Sequence, residues 1–313
     1  VKPDVLLLEP LTPSVAEKLE AEYVVHRLFD AAARTHDAAA LADRARAVVT
    51  GGGLGATNAL IDALPNLGLI AINGIGTDAV DLGHARARGV RVTVTPDVLT
   101  DDVADLAVAL LLAASRRLVV GDRYVREGGW ARREAFPLAR KVSGKRLGIV
   151  GMGRIGRAVA RRAEAFGMTI AYADLRAIDG VPHRFEPDLR TLAAASDALV
   201  VAAAGGAGSR GIVDGPVLDA LGPDGVLVNV ARGSVVDEQA LVAALAEGRI
   251  GAAGLDVFAD EPHVPEALRA MDRVVLSPHR ASATVETRSA MGELVLANLS
   301  AFFAGAELPT PVV

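Results

Sequence analysis

The chain has 313 residues, 51% hydrophobic and 23% charged, with 33 Lys and Arg against 38 Asp and Glu and a formal net charge of −5. At about twice a typical ~150-residue domain it can bury two cores, and its apolar content excludes a disordered chain. The absence of cysteine excludes disulfide scaffolds, thiolate zinc sites, iron–sulfur clusters and thiol nucleophiles, and the acidic balance leaves no basic footprint for nucleic acid or an anionic membrane.

The opening Val1-Lys2-Pro3-Asp4 does not read as a secretory leader. The longest apolar run, Leu106 to Ala114, is nine residues, far short of the ~20 that a membrane helix needs. The expectation is a cytoplasmic protein. Short apolar runs predict strands at Asp4–Leu8, Tyr23–Leu28, Ala47–Val49, Leu69–Ile72 and Val90–Val94. Between them, Ser14–Ala21, Ala38–Arg44, Ala59–Leu64 and Ala79–Arg88 read as helices.

A long helix is predicted from Thr100, with Asp101 and Asp102 in its first turn, to about Arg126. Val103, Leu106, Ala107, Leu110, Leu111 and Ala114 line one face, and Val108 and Leu112 make the other side apolar too. A helix apolar on most sides must be buried, between domains or between subunits, and it is taken as the crossing into a second domain. Strands are then predicted at Arg146–Val150, Thr169–Ala173, Ala198–Ala202, Gly225–Val230, Gly251–Leu255 and Arg273–Leu276, and a last helix, about Val285 to Phe303, crosses back.

Runs that are continuously apolar suit strands buried on both faces, and their alternation with helices predicts an α/β protein with parallel sheets. The predicted domains are 1–98 with 285–313, and 99–284 between them.

Two glycine-rich segments compete for a dinucleotide fingerprint. Gly51-Gly52-Gly53-Leu54-Gly55-Ala56 follows one strand, and Gly151-Met152-Gly153-Arg154-Ile155-Gly156 follows another and opens a helix. The fingerprint calls for an acid at the end of the next strand, for the ribose hydroxyls. Asp174 stands there after the second segment, whereas the first has Asn73 and Gly74. The cofactor is therefore assigned to Gly151–Gly156, whose amides at a helix N-terminus would hold a pyrophosphate. Asp174 favours NAD by repelling a 2′-phosphate. Arg176 keeps NADP open, as either a phosphate partner or a solvated surface charge.

Arg232, Glu261 and His279 each follow a successive strand of the second domain, where an open α/β sheet binds its ligands. The residue types suit ketone reduction. Hydride transfer builds charge on the ketone oxygen, His can deliver the proton, a carboxylate can orient the imidazole, and Arg can bind a substrate carboxylate with two bonds. This points to a 2-keto acid. The other histidines, His26, His36, His84, His183 and His263, lack such placement, and no cluster has metal-ligand spacing.

Together with Gly74-Ile75-Gly76-Thr77-Asp78, Val103-Ala104-Asp105, Ala231-Arg232-Gly233, Gly254-Leu255-Asp256-Val257-Phe258, Asp260-Glu261-Pro262 and Pro278-His279, these features resemble the D-isomer-specific 2-hydroxyacid dehydrogenases. Within that family, the bacterial glyoxylate/hydroxypyruvate reductases are the nearest group. The resemblance covers nearly the whole chain. It implies a Rossmann dinucleotide-binding domain inserted into a flavodoxin-like substrate domain, a homodimer, and an Arg232–Glu261–His279 triad. It further implies cofactor contacts from Val103, Gly151, Gly153, Arg154, Ile155, Gly156, Asp174, Ala231 and Asp256, with Asp256 either reaching the nicotinamide amide or serving as a turn aspartate. Substrate contacts would come from Gly52, Gly53, Ile75, Gly76, Arg232 and His279.

The chain departs from the family at Ala204-Gly205-Gly206, where Pro is common, and at Arg280, where Gly is common. Trp130 stands either over a neighbouring subunit's site or as a plain interface residue. The expected activity is NAD(P)H-dependent reduction of a small 2-keto acid to a D-2-hydroxy acid. The alternative is a dinucleotide-sensing, corepressor-like binding protein.

Overall fold

The computed structural model describes residues 2–29 and 41–313. The chain forms two compact units, residues 1–99 with 282–313 and residues 100–281. In the first unit, β1 (Asp4–Leu7), β2 (Val24–Arg27), β3 (Ala45–Gly51), β4 (Leu69–Asn73) and β5 (Arg91–Thr93) form one parallel sheet in the order β2-β1-β3-β4-β5. Strand residues alternate between two cores. Leu6, Val48, Ile70 and Val92 face one side with Leu60, Ile61 and Leu64, while Val5, Leu7, Ala47, Val49 and Leu69 face the other with Val295, Leu299 and Phe302 of the helix Val285–Ala304. Both faces are covered, which is why these strands read as unbroken apolar runs.

The second unit has seven parallel strands: β6 (Arg146–Val150), β7 (Thr169–Ala173), β8 (Arg184–Phe185), β9 (Ala198–Val201), β10 (Val226–Asn229), β11 (Ala252–Leu255) and β12 (Val274–Leu276). Their order is β12-β11-β10-β9-β6-β7-β8. The chain runs outward from β6 through β7 to β8, then returns to the other side of β6 at β9. The β6/β9 junction is thus a topological switch point, the place where open α/β sheets bind ligands.

Three local expectations are corrected. The long helix is two, Thr100–Arg116 and Leu118–Arg126, because Arg117 adopts a left-handed conformation (φ 53°) that no α-helix continues through. The first of these packs within its own unit. Gly254 of β11 lies so close to Leu110 that a side chain there would meet its Cβ at 2.8 Å. The edge strand β8 was not foreseen. Of the helix expected over 38–44, residues 38–40 lie outside the described residues, as does His36, and 41–44 form a turn. Among the described residues, no helix is long and apolar enough to cross a membrane.

Candidate active site

Arg232, Glu261 and His279 lie beyond β10, β11 and β12, three neighbouring strands, at their carboxyl edge. The loops are drawn together by a glycine. A Cβ at Gly233 would fall 1.9 Å from the Phe258 carbonyl carbon, so only glycine lets the β10 loop lie against the β11 loop. Asn229, 1% exposed at the end of β10, shapes the Arg232 turn with both ends of its amide. Its Oδ1 accepts from the Ala231 amide at 3.0 Å and its Nδ2 donates to the Arg232 carbonyl at 3.0 Å. The Arg232 Nη1 donates to the Ala231 carbonyl at 2.7 Å.

Glu261 Oε1 accepts from the Phe258 amide at 3.0 Å, which turns Oε2 toward His279 Nδ1, 2.7 Å away. Burial pushes the Glu261 carboxyl up. The hydrogen bonds from His279 and the Phe258 amide, with the charges of His279 and Arg232, outweigh burial and hold it below the usual carboxylate range. An ionised Glu261 accepts at Nδ1, which keeps the proton on that nitrogen and leaves Nε2 as the second working end of the ring. His279 itself is left-handed (φ 52°), a conformation that costs a non-glycine residue about 1–2 kcal/mol. Its amide donates to the Asp256 carbonyl at 2.8 Å and to the Ser277 carbonyl at 3.1 Å, which secures the turn.

The second glycine segment sits at the β6/β9 switch point, and its three glycines differ. Gly151 has φ 92° and lies against the β9 loop, where a Cβ would come within 2.5 Å of Ala203 Cα. A Cβ on Gly156 would meet the Gly151 carbonyl oxygen at 2.1 Å, so it permits the helix Arg154–Ala165 to close on the loop. A Cβ on Gly153 would meet no protein atom within 4 Å. Asp174, directly after β7, accepts from the Met152 amide at 2.8 Å and the Leu175 amide at 2.7 Å, tying its carboxylate to the glycine loop.

The model for "D-isomer specific 2-hydroxyacid dehydrogenase, NAD binding domain" matches residues 108–281. A 2-ketogluconate reductase of Gluconobacter oxydans is 47% identical over 312 residues, spanning 100% of this chain and 99% of its own. A glyoxylate/hydroxypyruvate reductase of Arabidopsis thaliana is 48% identical over 309 residues, 99% of this chain and 98% of its own. The crystal structure of an NADPH-dependent glyoxylate/hydroxypyruvate reductase of Sinorhizobium meliloti, in complex with NADP and malonate, superposes with a TM-score of 0.91 at 43% identity over 100% of this chain and 97% of the other. The chain belongs to the D-isomer-specific 2-hydroxyacid dehydrogenase family.

The dehydrogenase uses NAD(P), and its glycine loop fits that cofactor. Two glycines are filled by protein backbone, while the third, Gly153, faces open space in which a pyrophosphate can approach the amides. Of the other expected contacts, Arg154 and Ile155 open the helix after the loop, Val103 lies on the helix Thr100–Arg116 and is 5% exposed, and Ala231 is 8% exposed beside Arg232. Asp256 is fully buried.

In the first unit, the two glycine stretches meet. A Cβ at Gly52 would lie 3.0 Å from the Gly76 carbonyl oxygen, and one at Gly74 would lie 3.5 Å from the Gly52 amide nitrogen. They follow β3 and β4, and Ile75 between them is exposed. Sequence reasoning missed Asn229, whose only signal is its place as a strand's last residue. It also missed Glu9, whose carboxylate occupies the space a side chain at Gly51 would need.

Proposed function

We propose that this dehydrogenase reduces a small 2-keto acid of the glyoxylate or hydroxypyruvate kind to the D-2-hydroxy acid, with Arg232, Glu261 and His279 as its catalytic residues. The observation that carries this reading is the 2.7 Å contact between Glu261 and His279 Nδ1 on the strand edge that also bears Arg232. The bound nicotinamide supplies the hydride. His279 donates the proton to the ketone oxygen from Nε2. Glu261 holds the imidazole by Nδ1 and so fixes the orientation of the ring. Arg232 binds the substrate carboxylate through its planar fork, a geometry that Lys does not reproduce.

The amides near Gly52, Gly53, Ile75 and Gly76 are read as carboxylate donors, and residues 1–99 with 282–313 as the substrate-binding unit. Gly151, Gly153, Arg154, Ile155 and Gly156 hold the pyrophosphate, Asp174 meets the adenine ribose, and Val103 and Ala231 flank the cofactor. The acid at Asp174 supports a preference for NAD.

The dehydrogenase is further read as a homodimer. Leu118, Val119, Val125, Trp130 and Leu138 present a set of exposed apolar side chains on one stretch of the second unit. Nothing in the relatives favours the dinucleotide-sensing alternative.

Loss of NAD(P)H absorbance is the test, run over glyoxylate, hydroxypyruvate and 2-ketogluconate with both cofactors. The third substrate belongs in the panel because the Gluconobacter relative is named for it. Turnover that falls by about 10²–10⁴ in His279→Ala supports the assignment. Cofactor binding without turnover of any 2-keto acid refutes it.

A further inference from the structure

The carboxyl edge of the first unit's sheet carries an acid as well as glycines. Glu9 lies two residues beyond β1, Gly51 ends β3 and Asn73 ends β4. Leu7 pairs with Val49, and Gly51 pairs with Asn73, so Glu9, Gly51 and Asn73 continue one row across three neighbouring strands. Residues two apart on a strand share a face, and the residues two before this row, Leu7, Val49 and Ala71, all face one core. The half-buried Glu9 lays its carboxylate over Gly51, where a Cβ would collide with Oε2 and lie 2.7 Å from Cδ. Glycine at 51 is what lets the acid stand at the head of the Gly51–Gly53 stretch. Two residues further on, the stretch is open: a Cβ at Gly53 would meet no atom within 4 Å.

A carboxylate at this place works against a bare anion. The amides near Gly52 and Gly53 are read as donors to the substrate carboxylate, and a negative charge beside them repels that anion. The repulsion is offset when the substrate brings a donor to the acid. An ionised Glu accepts hydrogen bonds and donates none, so a hydroxyl suits it, a methyl group gives it nothing, and a second carboxylate adds repulsion. We propose that Glu9 is a specificity-determining residue: its carboxylate accepts a hydrogen bond from the C3 hydroxyl of the substrate, which selects 3-hydroxylated 2-keto acids and rejects 2-keto diacids. One group then supplies both the attraction and the repulsion on which discrimination depends. The inference rests on the reading of Gly52, Gly53, Ile75 and Gly76 as the donors to the substrate carboxylate.

The test uses Glu9→Ala, which removes the acceptor, and Glu9→Gln, which keeps an acceptor and loses the charge. For each, kcat and KM are measured with hydroxypyruvate, with pyruvate, which lacks only the C3 hydroxyl, and with oxaloacetate, which carries a carboxylate on C3. The wild type should prefer hydroxypyruvate to pyruvate in kcat/KM. In Glu9→Ala that ratio should fall by roughly tenfold or more, the range of a hydrogen bond to a charged group, chiefly through a raised KM for hydroxypyruvate. Glu9→Gln should keep part of the ratio and raise kcat/KM for oxaloacetate relative to pyruvate severalfold. A loss shared equally by all three substrates overturns the proposal in favour of a packing role against Gly51, and so does a wild type that does not distinguish hydroxypyruvate from pyruvate. Should Glu9→Ala fail to fold, Glu9→Gln decides alone, and an unchanged ratio of oxaloacetate to pyruvate counts against the proposal. If the wild type turns over no 2-keto acid, the functional reading fails, and the calorimetric Kd values of D-glycerate and D-lactate on the enzyme loaded with oxidised cofactor still decide the role of Glu9. The same ratio of these Kd values in wild type and Glu9→Ala overturns it.

Discussion

Glu261 is pulled two ways: burial favours its neutral form, and the imidazole, the Phe258 amide and the Arg232 guanidinium favour its charged form. The second set wins, so the folded carboxyl titrates below its unfolded counterpart, whose value is about 4.3. The sign of the linkage follows. The pair's contribution to stability is complete above the unfolded value and is lost as pH falls through the lower, folded one. A ¹³C-carboxyl titration should place the Glu261 midpoint below that of an exposed glutamate, and the accompanying acid loss of stability should be absent in Glu261→Gln. A midpoint above about 4.3 would mean that burial dominates. The positions of Arg232, Glu261 and His279 were legible because each follows a strand in a parallel sheet, where topology alone puts loop residues on one edge. Asn229 was less legible. It is an ordinary turn type, and its role depends on which N–H groups it meets, which only the folded backbone decides.

The glycine loop illustrates how element-scale contacts divide one motif into separate jobs. At Gly156, alanine gains up to about 1 kcal/mol of helix propensity, but its Cβ would meet a backbone oxygen at 2.1 Å that cannot move without shifting β6 or the helix. Overpacking of this kind costs about 1–3 kcal/mol, so the clash prevails and Gly156→Ala should lower Tm. At Gly153, φ is −69° and no protein atom is near. Gly153→Ala should therefore keep the wild-type Tm and weaken NADH binding, because the added methyl stands where the pyrophosphate approaches. Thermal melts and cofactor titrations of the two variants check this. Equal Tm loss in both, or wild-type NADH affinity in Gly153→Ala, would show that the loop's glycines are turn formers only. Most strands were readable because burial on both faces leaves an unbroken apolar run. The two-residue β8 has no such run, and Arg117, where the helix breaks in a left-handed residue, is a good helix former, so neither left a mark in the sequence.

For the whole molecule, the segment from Leu118 to Lys141 raises a question that one chain does not answer. The helix Leu118–Arg126 has nine residues and none of them is buried, whereas isolated helices shorter than ~12–15 residues are marginal in water. The stretch 130–141 beyond it is exposed throughout, with Trp130 at 71% and Leu138 at 96%. The Tyr124 hydroxyl donates to the Glu134 carbonyl at 2.8 Å, and the Tyr124 and Phe136 rings meet in a tilted arrangement with centroids 5.0 Å apart, so arm and helix hold each other as one apolar surface. That surface loses its hydrophobic cost only when covered, and a second copy of the chain, carrying the same surface, can cover it by two-fold symmetry. Light scattering on the eluting protein should give twice the mass of one chain. Val119→Asp combined with Leu138→Asp should give the mass of one chain with an intact far-ultraviolet spectrum, because neither side chain is buried within the chain and a buried, unpaired aspartate in the interface is strongly unfavourable. A wild type that elutes as a monomer would refute the homodimer. A double variant that remains dimeric would place the interface on another face and leave the exposed arm without this explanation.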